Sequence, residues 1–211
     1  MDPQEILARQ ARALDKRRPL EPLWQACYDH VLPATAAGAP ALFDATAADA
    51  AEQLAASLFA ELTPPWSRWF GLAPTRPAEG DRAMAEALED ATATLQGHFD
   101  RSNFAVEMHQ AFLDLVVCGT GLLLVEEAPL GEASAFRFTA VPIRSAVLEE
   151  DAAGRLATIY RQERLTAAQL QARFPKAALP AELARAATAG TPWRGGHPGL
   201  PPVTRCAPAR Q

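Results

Sequence analysis

The sequence predicts an α+β fold, with helices first, then a small antiparallel sheet, then further short helices. Three observations predict it. Apolar residues recur at helical spacing through the first half of the chain. Short alternating runs rich in Val, Ile, Phe and Tyr follow, separated by turn residues. A Thr-x-x-Gln pair then opens a last amphipathic run at Thr166.

Residues 3–17 read as a helix, with Ile6, Leu7, Ala11 and Leu14 as a thin apolar stripe among charges. Pro19 and Pro22 interrupt it, and a second short helix carries Leu23, Trp24, Cys27, Tyr28 and Val31. The stretch 33–44, PATAAGAPALFD, is punctuated by Gly and Pro and reads as a loop. Thr46–Leu62 is the clearest helix. Thr46 and Asp49 have the spacing of a capping box, which satisfies free N–H groups in the first turn. Leu54, Leu58 and Leu62 fall four apart on one face, and Ala47, Ala51 and Ala55 form a small-residue face on which another backbone can approach closely. Pro64-Pro65 stops this helix, because proline disfavours α geometry in the residue before it.

A Pro-rich loop over 73–80 leads to a helix over 79–99, with Met84, Leu88, Leu95 and Phe99 on one side. "DRSN" breaks it. The next helix carries Phe104, Met108, Phe112 and Leu115, and Gly119 stops it. "GLLLVEE" and "FRFTAV" read as strands, and "SAVLEED" and "LATIYRQE", joined by "DAAG", read as a hairpin. Thr166 and Gln169 cap the helix LTAAQLQARF, and Pro180 opens a final short one. From about Gly190 the chain is rich in Gly and Pro and has no Asp or Glu. The expectation is a domain over 1–188 and a disordered tail over 189–211.

The chain has 211 residues, enough for one ordinary domain with an appendage, and 49% of them are hydrophobic, enough for a packed core. A net charge of -5 argues against a broad basic surface for gripping nucleic acid. Cys27, Cys118 and Cys206 are too widely spaced for a disulfide framework or a metal knuckle. The charged N-terminus has no apolar core of a secretory signal, and LDLVVCGTGLLLV is too short and Gly-broken for a membrane span.

No arrangement of residues points to catalysis. "CGTG" at 118–121 lacks the length and the lysine of a phosphate loop and runs from helix to strand, the reverse of that motif. Cys27 and His30 have the spacing of two metal ligands, but no second pair completes a site. His98 and His109 lie on separate helices without a nucleophile motif, and the doublets Glu126-Glu127 and Glu149-Glu150 point to opposite faces of their strands. Lys16, Arg17 and Arg18 form the one basic run, which suits a solvated helix end. The expectation is therefore a protein without enzymatic activity, cofactor or metal.

One stretch stands out. LTPPWSRWFGL, residues 62–72, places Trp66, Trp69 and Phe70 on a stiff connector just past a helix end. Turned inward, these rings anchor a helix–loop junction. Turned outward, they form the centre of a subunit interface, where Trp is enriched. Stacking on nucleic acid is a third use, which the acidic balance disfavours. Pro64, Pro65, Trp66, Trp69 and Phe70 are the candidate packing or interface residues.

The order of these segments resembles that of the head-to-tail connector, or portal, proteins of short-tailed bacteriophages. The matching features are DAAEQLAASLFAELTPPWSRWFGL, then FDRSNFAVEMHQAFLDLVVCGTGLLLVEE, then FRFTAVPIRSAVLEEDAAGRLATIYRQERLTAAQLQARFP, covering roughly residues 5–186. The resemblance implies a portal wing-like fold and a structural role in the virion, without catalysis. It implies a dodecameric ring at one capsid vertex, assembled in the bacterial host cytoplasm. DNA enters through that ring during packaging and leaves at genome ejection, and terminase and tail adaptor proteins dock on it. It implies no membrane and no sequence-specific DNA contact. Members of the family continue into channel-lining helices where this chain turns Gly- and Pro-rich, so the expectation is a portal subunit or a truncated fragment of one, whether frameshifted or from a prophage remnant. The alternative is a phage adaptor or scaffold-like interaction protein.

Overall fold

The computed structural model describes residues 2–31, 44–74, 82–163, 165–176 and 203–208. In chain order its elements are α1 (Pro3–Arg17), α2 (Glu21–Val31), α3 (Thr46–Leu62), α4 (Arg82–Asp100), α5 (Phe104–Cys118), β1 (Leu123–Glu127), β2 (Phe136–Ala140), β3 (Ala146–Glu150), β4 (Leu156–Glu163), α6 (Ala167–Arg173) and β5 (Val203–Pro208). This is the α+β order expected. The strands form two small sheets rather than one: β1 with β2, and β3-β4-β5, all antiparallel. Pro142 and a 3-10 turn at Ile143–Ser145 separate β2 from β3, so the chain leaves the first ladder before starting the second.

The chain divides into two compact units, Met1–Arg17 with Ser145–Gln211, and Arg18–Arg144. In the first, α1 lies on β3, and Ala13, Val147 and Tyr160 form a core flanked by Ile6 and Leu14. Arg9 clasps Glu149 with two parallel bonds, Nε to Oε1 at 3.1 Å and Nη2 to Oε2 at 2.9 Å. The hydroxyl of Tyr160, itself buried, donates to the same carboxylate at 2.5 Å. These bonds, Arg9 first, hold the Glu149 carboxyl below its usual range. Arg17, expected at a solvated helix end, donates to the Ala146 carbonyl at 2.6 Å. Thr166 and Gln169 form the capping box of α6 as predicted.

The strand β5 departs from the expected tail. Residues 203–208 pair with β4 in register from Thr158↔Pro208 to Glu163↔Val203. A ladder is made by backbone groups, and an open β4 edge overrides a Pro-rich composition, with Pro208 confined to the strand end. The expected helix at Pro180 and most of the loops at 33–44 and 73–80 lie outside the described residues, as do residues 79–81 of the predicted fourth helix.

In the second unit α3 packs along α5. The buried stripe of α3 is the alanine face: Ala51 and Ala55 meet Phe112 and Leu113, with Leu58, Phe59, Met108, Val116 and Val117 around them. Small side chains let the two backbones come close, and of the leucine row Leu58 packs at the seam while Leu54 and Leu62 are exposed. The predicted Thr46–Asp49 capping box does not form. Instead Asp44 Oδ1 accepts from the Thr46 N–H at 2.8 Å and from its hydroxyl at 2.6 Å, and those bonds lower the Asp44 carboxyl below its usual range. A carboxylate two residues before Thr46 does the same work at the positive end of the helix.

The predicted stripes on α4 and α5 hold in part. Met84 and Leu115 are exposed, while Thr92, Ala111, Leu113 and Asp114 are buried. Gly119 adopts φ 76° and donates to the Leu115 carbonyl at 2.8 Å, ending α5 as expected. Gly121 serves a different need: a Cβ there would sit 2.4 Å from the Ala111 carbonyl oxygen. The "CGTG" stretch is thus a helix-to-strand turn held against α5.

Candidate functional site

The aromatic stretch lies wholly in the unit of Arg18–Arg144. The chain leaves α3 at Leu62, and Thr63, itself buried, donates its N–H to the Phe59 carbonyl at 3.0 Å. Pro64 is half-buried and Pro65 exposed. The expected stiff extended run does not follow: the Ser67 N–H donates to the Pro64 carbonyl at 3.4 Å, so the chain turns through Pro65 and Trp66, with proline setting φ at the first central position.

Beyond the prolines the three aromatics part company. Trp66 is 74% exposed. Trp69 and Phe70 are half-buried and enter a cluster that sequence spacing did not reveal. Trp69 stacks on Phe104 at 5.6 Å between centroids and meets Phe99 edge-on at 5.7 Å. Phe70 meets Phe99 at 5.4 Å. Phe99 and Phe104 in turn pack on Phe138, at 5.4 and 5.1 Å, and Phe136 closes the far side 6.2 Å from Phe99. One aromatic core thus joins the connector, the end of α4, the start of α5 and the inner face of β2. The readable signal was the FRF alternation, which puts Phe136 and Phe138 on one face of a strand. Nothing local ties that face to Trp69.

Polar bonds fix the connector along α4. Leu72 N–H donates to Thr92 Oγ1 at 3.0 Å, and Thr92, fully buried, passes its own proton to the Leu88 carbonyl at 2.7 Å. Arg68 forks onto Glu89, with Nη2–Oε2 at 2.8 Å and a second bond between Nη1 and Oε1. Each partner favours the other's charged form, raising the guanidinium and lowering the carboxyl. The pair is exposed, and water screens most of its strength.

Several large apolar residues of α3 and the connector are exposed. Leu54, Leu62 and Trp66 are 51%, 55% and 74% exposed, and Leu72 is 42% exposed nearby in sequence. Singly exposed apolar side chains are ordinary, whereas a largely exposed tryptophan is a residue type enriched at interface centres.

A second cluster in the same unit was not visible in the sequence. Asp114, 3% exposed, accepts from the Tyr28 hydroxyl at 2.9 Å. The Arg144 guanidinium lies 5.9 Å from the Tyr28 ring centroid. Burial pushes the Asp114 carboxyl up, against the pull of Tyr28 and Arg144. Burial also raises the Tyr28 phenol and the Cys118 thiol. Such a cluster holds α2 to α5.

Among the described residues no group of three or more His, Cys, Asp or Glu has the placement to hold a metal ion. Cys27 and His30 instead line an apolar hollow with Ala50, Leu54 and Val117. His109 pairs with Glu52 at 2.7 Å, tying α5 to α3, and His98 accepts from the Ala135 N–H at 3.1 Å, steadying the approach to β2. Both histidines make contacts between elements. Glu126 and Glu127 occupy successive positions of β1, so they face opposite sides of its sheet.

No curated protein matches the chain. A family model does: that of the bacteriophage head to tail connecting protein matches residues 3–196, nearly the whole sequence and a longer span than the motifs alone suggested. Its reach from α1 through the aromatic connector, both hairpins and α6 means that this protein belongs to the bacteriophage head-to-tail connecting proteins.

Proposed function

We propose that the chain is a portal subunit, a non-enzymatic component of the ring at one capsid vertex through which phage DNA is packaged and later ejected. The match to the connector family over residues 3–196 is the observation that carries this reading. The exposure of Leu54, Leu62 and Trp66 supports it, because a ring subunit must present apolar surface to its neighbours. Trp69 and Phe70 then anchor the connector, and Trp66 is the projecting contact.

The charge balance suits the task. A net charge of -5 gives weak attraction to phosphates, so a duplex passing such a ring slides instead of being held. No helix among the described residues is long and apolar enough to cross a membrane. In this reading the ring stands in the virion, is assembled in the host cytoplasm, and meets the terminase motor and then the tail adaptors.

Negative-stain electron microscopy of the purified chain tests the proposal. Rings are expected for the wild type, and few or none for a Leu62→Ser/Trp66→Ser variant that keeps its helical circular dichroism. Dispersed single particles in both samples would refute a ring built from this surface.

A further inference from the structure

The two edges of the β1–β2 hairpin are treated in opposite ways. The outer edge of β2 is closed by side chains. Asn103 Oδ1 accepts from the Phe138 N–H at 2.9 Å, and its Nδ2 donates to the Phe138 carbonyl at 2.8 Å, so one amide imitates a neighbouring strand. Glu107 Oε2 accepts from the Ala140 N–H at 2.6 Å, and Ser134 Oγ from the Phe136 N–H at 3.1 Å. Every outward N–H of β2 is thereby occupied.

Among the described residues the outer edge of β1 has no such cover. In an antiparallel pair, residues alternate between bonding the partner strand and pointing away from it. The bonds flanking this ladder run from Val141 N–H to the Leu122 carbonyl and from Ala128 N–H to the Ala135 carbonyl. With the register Leu123↔Ala140 to Glu127↔Phe136, the groups turned away from β2 are those of Leu123, Val125 and Glu127. Among the described residues no hydrogen bond reaches their backbone groups. Val125 is 53% exposed. The segment 122–132 carries Glu126, Glu127 and Glu132 and no Lys or Arg, and both Glu127 and Glu132 are exposed.

From this asymmetry we infer that the outer edge of β1 is a docking site for an extended, basic strand of another protein, which adds to the hairpin as a third strand. Main-chain bonds to Leu123, Val125 and Glu127 supply the attachment. An aliphatic side chain of the incoming strand lies beside Val125, and a lysine or arginine two positions away answers Glu127. The acidic run selects against acidic segments, including a second copy of β1. The inference is independent of ring formation and concerns a different surface.

The test uses the full chain and two blocked heptapeptides, one alternating threonine with valine and lysine, the other with glutamate in place of lysine. Binding is read by fluorescence anisotropy and site by site from amide hydrogen exchange. The basic peptide is expected to bind and to slow exchange at Leu123, Val125 and Glu127, while Leu124 and Glu126 are already protected without it. The acidic peptide is expected not to bind. Val125→Pro removes an N–H that points away from β2, so it should abolish binding and leave protection at Leu124 and Glu126 intact. Glu127→Lys should exchange the preference between the two peptides. The proposal is overturned if the basic peptide leaves the three outward amides unprotected, or if Val125→Pro binds as the wild type does. It is also overturned if those amides become protected as the chain's own concentration rises, since the occupant would then be a second copy.

Discussion

Trp66 and Trp69 are three residues apart and do different things. Trp69 stacks against Phe104 and Phe99, whereas Trp66 is mostly in water. Trp69→Ala is expected to cost about 3 kcal/mol, the low end for losing a large aromatic, because the ring is only half-buried. Trp66→Ala should change monomer stability by less than about 0.5 kcal/mol, as surface substitutions do. Chemical denaturation of the two variants checks the contrast. Gly121→Ala forces a Cβ to 2.4 Å from a backbone carbonyl, so it should destabilise by about 1–3 kcal/mol in the same measurement. Asp114 makes a prediction about pH. Its carboxyl is raised in the folded state, so the folded state holds that proton more tightly than the unfolded chain. Its contribution is fully present below the unfolded pKa and is lost as pH rises through the folded one. Asp114→Asn should therefore remove a loss of stability on going from acid towards neutral pH, visible in thermal melts across that range. Glu149, whose carboxyl is lowered by Arg9 and Tyr160, runs the other way: its contribution is present above the unfolded pKa and fades as pH falls through the folded one. Glu149→Gln should flatten the acid limb of the same curve.

At the scale of elements, the helices and strands were legible because their signals are local. Thr46–Leu62 and the hairpin around Asp151 emerged where the apolar period and turn residues placed them. The buried faces were harder to read. A leucine every fourth residue suggests a core stripe, but Leu54 and Leu62 are exposed and the neighbouring alanines make the seam. Close approach of two helices rewards small residues, a fact about the partner that one helix cannot report. The cap at Asp44 in place of Thr46–Asp49, and β5 within a Pro-rich stretch, were missed for similar reasons: a carboxylate in the preceding loop and an open strand edge decided them. The aromatic core was half legible, since Trp69 and Phe70 stood out but Phe136 and Phe138 come from far along the chain. The seam itself is testable. Ala55, fully buried, sits where α3 meets α5, and Ala55→Leu should destabilise by about 1–3 kcal/mol through overpacking, read from the denaturation midpoint.

For the whole molecule, membership of the head-to-tail connecting family implies assembly with phage proteins, and exposed Leu54, Leu62 and Trp66 are the surface proposed for it. A connector needs stiff elements and surfaces for neighbours, and the described residues offer both. The most direct test is the mass of the purified chain by size-exclusion chromatography with light scattering over a range of concentrations. The account predicts a closed species of about a dozen subunits that gives way to monomer when Leu62 and Trp66 are made polar. A wild-type chain that stays monomeric at every concentration would contradict it.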